Sequence, residues 1–163
     1  MIILGVDPGL QNAGYSVASI ISGKTSLIEC GVLKLKPKDP LPKRVKEFHD
    51  FVKSLFTKYK IDHIALETPF IGRNAQTFLK LGYLRGILYL ISEQENVTIF
   101  EFAPRQVKQA VTGNGGADKD QVQMMVKRLF PQVKDFKTND VSDAVAVCLC
   151  GLWQSSNRLS YLK

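Results

Sequence analysis

The sequence contains no uninterrupted apolar run that approaches the roughly 18 residues needed to cross a membrane. Its three cysteines (Cys30, Cys148 and Cys150) are an odd number without metal-ligand spacing, so we expect buried thiols in a reducing compartment. No G-x-x-x-x-G-K-S/T phosphate loop is present. The glycine-rich stretch 112–116 is therefore expected to be a flexible loop that binds no nucleotide. The first residues lack the basic region and cleavage site of an export signal, so we expect a cytoplasmic protein that does not associate with membranes.

Acidic residues are scarce relative to basic ones. The chain has 15 Asp and Glu against 22 Lys and Arg, a formal net charge of +7. Such an excess favours a polyanionic partner, and nucleic acid before a membrane surface. The 163 residues are 45% hydrophobic and 23% charged, which is typical of one ordinary globular domain. With no repeats, low-complexity segments or internal boundary, we expect a single domain over residues 1–163.

Five short apolar segments bounded by turn residues predict strands at 2–7, 15–21, 26–35, 61–67 and 97–102. Short connections between the first three favour an antiparallel meander. The last two are separated by a helical segment, which favours parallel pairing. The predicted fold class is therefore α/β, with a central mixed five-stranded sheet flanked by helices.

Apolar residues recur at helical spacing in the segments 43–60, 75–94, 104–111, 118–130 and after Thr138. The second of these helices has an apolar surface much wider than the stripe of a one-sided helix. Either it is buried between core elements, or its second face packs against another subunit. Gly82 and Gly86 would permit a neighbour to approach closely. The pattern alone does not choose between the two interpretations.

Four carboxylates lie where this fold would bring them together. Asp7 and Glu67 each end a core strand just before a proline-containing turn, and neighbouring parallel strands would place them side by side. Asp140 and Asp143 are three residues apart and share one face of the last helix. Taken singly, each has an ordinary explanation, because Asp often caps turns and acidic residues in a first helical turn complement the helix dipole.

If the four carboxylates converge, their mutual repulsion would either raise their pKa values or favour bound cations. A set of oxygen ligands without His or Cys selects Mg²⁺ or Mn²⁺ over Zn²⁺. Two such ions about 4 Å apart would clamp the attacking and leaving oxygens of a phosphodiester. The basic surface would hold the polyanion while the metals neutralise the scissile phosphate.

The motifs around these carboxylates run through nearly the whole chain: Ile3-Leu-Gly-Val-Asp-Pro-Gly9, Leu66-Glu67 with Phe70, Asn74-Ala75, Leu79-Lys-Leu-Gly82, Arg85-Gly86, Arg105-Gln-Val-Lys-Gln109, Ala117-Asp-Lys-Asp-Gln-Val-Gln123 and Asp140-Val-Ser-Asp-Ala144. In this order and spacing they resemble the RuvC-type Holliday junction resolvases, members of the ribonuclease-H-like superfamily. Thr68-Pro69 departs from the Gln and small apolar residue common in that family. The loop Gly113-Asn-Gly-Gly116 has a glycine where the family more often has a basic or polar residue.

The resemblance implies a ribonuclease-H-like fold and a homodimer that cuts two like-polarity strands of a four-way DNA junction symmetrically, in recombination and repair. It implies two Mg²⁺ ions per subunit, replaceable by Mn²⁺, and a branch-migration motor of the RuvA and RuvB type as a further partner. The implied catalytic metal ligands are Asp7, Glu67, Asp140 and Asp143.

Further residues match family positions with supporting roles. Lys108 and Lys119 match lysines that steady phosphate or transition-state charge, although each could equally be a solvated helix position. Phe70 matches an aromatic residue that stacks on bases, with core packing as its ordinary alternative. Arg73 and Arg105 are candidate contacts to backbone phosphates.

Other functions compete with this interpretation. An ATP phosphotransferase of the actin and sugar-kinase type also begins with a strand and an aspartate turn, but it needs a second phosphate loop, and Asp7 is followed by Pro-Gly with no nearby Gly-Thr. A junction-binding module without catalysis and a ribonuclease-H-like nuclease with another nucleic-acid substrate are the two remaining alternatives.

Overall fold

A computed structural model describes residues 1–68, 75–131 and 139–156. Five strands form one sheet in the order β3-β2-β1-β4-β5. They are β1 (Ile2–Asp7), β2 (Asn12–Ile21), β3 (Lys24–Lys34), β4 (His63–Glu67) and β5 (Thr98–Phe102). The first three strands pair antiparallel, whereas β4 pairs parallel with both β1 and β5. The predicted meander joined to parallel strands is confirmed.

The described residues contain the helices α1 (Leu41–Lys58), α2 (Ala75–Glu95), α3 (Pro104–Thr112), α4 (Lys119–Leu129) and α5 (Asn139–Ser155). Helices α1 and α2 cover one face of the sheet, and α3, α4 and α5 cover the other. Helix α1 begins two residues earlier than predicted because proline is tolerated in a first helical turn, where Pro42 lies. None of the helices in these described ranges has the length and apolar character needed to span a bilayer.

The alternation of side chains along a strand decides which face of the sheet each residue serves. Along β4, Ala65 packs against the α5 side, whereas Leu66 packs against the side of α1 and α2. The next residue, Glu67, therefore faces α5. Val6 of β1 is the partner of Leu66 across the parallel pair, so Asp7 follows at the same edge and on the same face as Glu67.

Helix α5 lies close against β1 and β2 because small residues face it. A Cβ built on Gly5 would be 2.4 Å from the backbone oxygen of Ala144 and 2.5 Å from Cβ of Cys148. The Ser16 hydroxyl donates a hydrogen bond to the same Ala144 oxygen at 2.8 Å. Side chains at these sheet positions would hold the helix away, so the small residues set its distance from the sheet.

The cysteines are free thiols, as predicted, with two of the three buried. Cys148 and Cys150 lie in the core on α5, whereas Cys30 on β3 is only half-buried. Burial raises the pKa of Cys148 to about 11, and its Sγ donates to the backbone oxygen of Ile3 at 3.3 Å. The two α5 thiols are therefore packing groups.

The glycine-rich loop is more ordered than its composition predicts. Thr112 is the last residue of α3, and Gly113 ends the helix with a positive φ of 79°. The Gln109 side chain donates to the Gly113 carbonyl at 2.8 Å and accepts from the Gly115 amide at 2.9 Å. The predicted flexible loop is therefore a turn that the Gln109 side chain holds by two hydrogen bonds. A capping box of Asp118 with Gln121 opens α4: the Gln121 amide donates to the Asp118 carboxylate at 2.8 Å, and the Asp118 amide donates to the Gln121 side chain at 2.9 Å.

We expect Gly5→Ala to lower the free energy of unfolding by about 1–3 kcal/mol, because the added methyl group overpacks the contact with α5. Chemical denaturation of the variant and the wild type measures the difference. Gly116→Ala is the matched control, since its Cβ would meet nothing closer than 3.4 Å. Equal losses in both variants would contradict the close approach of α5.

Candidate active site

Asp7 lies where three elements meet at one edge of the sheet. It ends β1 and pairs with Gly14 of β2. A Cβ on Gly14 would be 2.0 Å from the backbone oxygen of Asp140, in the first turn of α5. The missing side chain at Gly14 thus brings the start of α5 against the end of β1. Asp143 follows one helical turn later on α5.

The negative charges at this edge act on one another. Burial is the main cause that raises the pKa of Asp7 to about 7. The charges of Asp143, Asp140 and Glu67 raise it further, in that order, and the Lys119 ammonium opposes them. A carboxylate with such a pKa is poorly compensated by the protein itself. The charges that act on Asp7 thus include all three of the other predicted carboxylates, and the role of the four as metal ligands stays a prediction.

Glu67 and Asp143 share the same environment. Burial also raises the pKa of both carboxyl groups, with Asp143 adding to the effect on Glu67 and Asp140 adding to the effect on Asp143. Lys119 lies on α4 and donates to Asp143 at 3.3 Å, so its charge opposes these shifts. The Lys119 side chain remains 70% exposed, which leaves its ammonium available to an anion from solvent.

A cavity of about 230 Å³ opens beside these carboxylates. Its lining includes the carboxylates Glu67 and Asp143 and the lysines Lys108 of α3 and Lys119 of α4. Apolar side chains from α3, α4 and α5 complete its wall. A cavity lined by both carboxylates and ammonium groups could bind an anion together with cations: the lysines would contact the anion, and the carboxylates would contact the cations.

The chain resembles known proteins along most of its length. A sequence model of the family described as crossover junction endodeoxyribonuclease RuvC matches residues 3–151. The RuvC protein of Chlorobium phaeovibrioides is 43% identical over 154 residues, which cover 93% of this chain and 81% of that protein. The RuvC protein of Aliarcobacter butzleri is 42% identical over 149 residues, which cover 91% and 96% of the two chains. The chain belongs to the RuvC family of crossover junction endodeoxyribonucleases.

Solved structures agree with this assignment. The structure described as T. thermophilus RuvC in complex with Holliday junction substrate aligns with a TM-score of 0.88 at 26% identity, over 96% of both chains. The resemblance to RuvC-type proteins and the ribonuclease-H-like fold that it implies are both confirmed.

The donor set of this chain fits hard divalent cations. The four side chains offer only carboxylate oxygens, which Mg²⁺ and Mn²⁺ prefer. Among the residues that the structure describes, no three Asp, Glu, His or Cys side chains form a group that could by itself hold a metal ion. Mg²⁺ usually binds through one or two carboxylates together with waters and substrate phosphates, so a site of this kind is completed by its substrate.

The supporting residues predicted from the RuvC motifs divide into three groups. Lys108 and Lys119 do lie at the cavity beside the carboxylates. Arg105 does not line that cavity, and its side chain packs instead against the glycine loop, where a Cβ on Gly115 would be 2.7 Å from its Cγ. Phe70 and Arg73 lie outside the described residues. Asn74 of the Asn74-Ala75 motif lies outside them as well.

One residue near this site had no predicted role. Arg85 of α2 is buried, and its Nη1 donates to the backbone oxygen of Glu67 at 2.7 Å. The sequence signal was available, because Arg85 is a charged residue within a helix whose neighbouring positions Leu84, Ile87 and Leu88 are apolar. A charge in that setting is normally paired.

We expect Asp7→Asn to stabilise the protein against unfolding in EDTA at neutral pH by a few kcal/mol at most, because it removes a buried charge. The folded pKa of about 7 lies above the ordinary 3.8, so the contribution of Asp7 to stability is complete below pH 4 and is lost as the pH rises through 7. The difference between variant and wild type should therefore grow from pH 4 to 8 in thermal or denaturant unfolding. Asp120→Asn, the same substitution on the exposed start of α4, is the matched control.

Proposed function

We propose that this protein resolves four-way DNA junctions by symmetric, metal-dependent hydrolysis of phosphodiester bonds, in recombination and repair. The observation that carries the proposal is the meeting of Asp7, Glu67, Asp140 and Asp143 at one edge of the sheet, in a chain of the RuvC family. We further propose that residues 1–163 form one nuclease domain, since both ends of the described chain contribute to the same site. We propose a cytoplasmic location, which a DNA junction substrate favours.

The four carboxylates would hold two Mg²⁺ ions per subunit, with Mn²⁺ able to substitute. When bound, such ions supply an activated water and neutralise charge on the leaving oxygen. The chain's own contribution is to concentrate negative charge at a half-buried edge that is strongly favourable for cations. Lys119 would then exchange its contact with Asp143 for one with the DNA phosphate, and Lys108 would approach the same phosphate from α3.

The net charge of the chain and its membership of the RuvC family both support DNA binding. The net charge of +7 provides a sequence-independent attraction to phosphates. Phe70 is proposed to stack on bases and Arg73 to contact the backbone. Arg105 would contact phosphates only together with the glycine loop against which it packs. A branch-migration motor of the RuvA and RuvB type stays a prediction for which we assign no docking surface.

A homodimer is proposed from the exposed face of α2. Leu84, Leu88 and Ile91 are buried within the subunit, which leaves the opposite side of the helix uncovered. There Leu79 is 58% exposed and Leu90 50% exposed. Burial of α2 on all sides within one subunit is therefore wrong. The exposed apolar side chains support the proposal that this face packs against a second copy of the chain. An apolar helical face of this kind is typical of subunit interfaces.

We expect the wild type in Mg²⁺ to cut a synthetic four-way junction with paired, symmetric nicks and to leave linear duplex and RNA–DNA hybrid largely uncut. Asp7→Asn should bind the junction as the wild type does but cut it at least about 100-fold more slowly, because even outer-shell partners of metal sites are worth about 10–100-fold. Gel assays of cleavage and binding measure both. Asp120→Asn makes the same charge change at an exposed residue that does not line the cavity, and it should cut normally. Equal cleavage of all three substrates by the wild type would overturn the proposed specificity.

We expect Tyr83→Glu, on the exposed face of α2, to shift the protein from dimer to monomer, because it would bury a charge in an apolar interface. Sedimentation velocity measures the change. Met124→Glu on α4 is the matched control, since Met124 is 48% exposed against 45% for Tyr83. A wild type that sediments as a monomer, or a Tyr83→Glu variant that stays dimeric, would contradict this interface.

A further inference from the structure

Arg85 is a buried cation that joins α2 to the carboxyl ends of β4 and β5. Only 7% of the residue is exposed. Its Nη1 donates to the Glu67 backbone oxygen at 2.7 Å, and its Nη2 donates to the Glu101 carboxylate on β5. Tyr89, one turn later on α2, also donates to Glu101 at 3.0 Å. One guanidinium thus connects a helix with two neighbouring strands.

The hydrogen bond from Arg85 to the Glu67 carbonyl restrains the peptide unit between Glu67 and Thr68. The Thr68 amide, on the other side of that peptide, donates to the Phe102 backbone oxygen at 2.8 Å. The Glu67–Thr68 peptide is therefore fixed through its carbonyl by Arg85 and through its N–H by β5. Orienting this peptide also orients the bond from Cα to Cβ of Glu67, and with it the direction in which the carboxylate points.

We propose that Arg85 is a positioning residue for the nuclease reaction, which aims the Glu67 carboxylate at the α5 face by holding its peptide. The inference rests on the proposed function. Arg85 does not touch the substrate, because its guanidinium is enclosed by Glu67, Tyr89 and Glu101 and its side chain is only 8% exposed. Its role therefore differs from the phosphate contacts proposed for Arg73 and Arg105.

A merely structural role is the competing explanation, because pairing the buried Arg85 with the partly exposed Glu101 also contributes to folding. The two roles separate when Arg85 and its charged partner are changed together. Arg85→Met keeps the apolar stem of the side chain but leaves Glu101 with an uncompensated charge. The double variant Arg85→Met/Glu101→Gln removes that charge, so stability should recover while the Glu67 carbonyl remains unsupported.

The experiment compares the wild type, both of these variants and Glu95→Gln. The last is a matched control, because Glu95 also lies on α2 and pairs with Lys53, at a distance from the carboxylates along the helix. Three quantities are measured well below the lowest unfolding midpoint. They are kcat for junction cleavage in saturating Mg²⁺, the Kd for the junction in EDTA, and the exchange rate of the Thr68 amide by NMR.

We expect kcat to fall about 10–100-fold in Arg85→Met and to stay low in the double variant, even though its unfolding midpoint recovers. The junction Kd should stay within about twofold of the wild type, because phosphate contacts set affinity for DNA. Thr68 should exchange faster in both Arg85 variants and not in Glu95→Gln.

Several outcomes would overturn the role assigned to Arg85. Full cleavage by the double variant would show that Arg85 serves only to balance Glu101. A parallel loss of junction affinity would make Arg85 a DNA contact. Unchanged Thr68 exchange would show that the peptide is held without it. A wild type that does not cut junctions would instead reject the proposed function, and the positioning role with it.

Discussion

The close approach of α5 to β1 and β2 is the constraint on which the rest of the structure depends. Gly5 and Gly14 leave no room for a side chain between the helix and the sheet. Ser16 secures the contact through the Ala144 carbonyl. With α5 at this distance, its first turn meets the end of β1. A helix shifted outward by one methyl layer would carry Asp140 and Asp143 away from Asp7 and Glu67, so packing in the core determines the geometry at the edge.

That geometry is electrostatically unfavourable in the protein alone. Burial is the largest cause of the raised pKa at Asp7, Glu67 and Asp143, and the neighbouring carboxylates add to it. Lys119 compensates only in part, and from a side chain that is mostly solvated. The fold therefore tolerates charge repulsion that a site selected for stability would avoid, which is typical of functional sites. Cations would relieve the repulsion, and the basic surface keeps the whole chain attractive to DNA.

The sequence predicted the sheet, the helices and the four carboxylates because these depend on local patterns. Turn residues after Asp7 and Glu67 mark strand ends, and the three-residue spacing of Asp140 and Asp143 marks a shared helix face. Contacts between distant segments are not encoded in such patterns. Nothing near Gly14 indicates that it faces Asp140 more than a hundred residues later. Nor does the composition of the glycine loop reveal that Gln109 ties it down or that Arg105 packs against it.

The wide apolar surface of α2 is a second feature that local sequence patterns could not interpret. Periodicity alone left burial and self-association as alternatives, because both require apolar residues on two faces. The exposed side of α2 excludes complete burial within one subunit. Arg85 belongs to the buried side, where a cation is stable only if its partners are fixed. The Arg85 guanidinium is buried although Glu101 is partly solvated, so the Glu101 carboxylate and the Glu67 carbonyl constrain where α2 can lie. The helix that carries the proposed dimer face is thereby anchored at the edge of the sheet that carries the carboxylates.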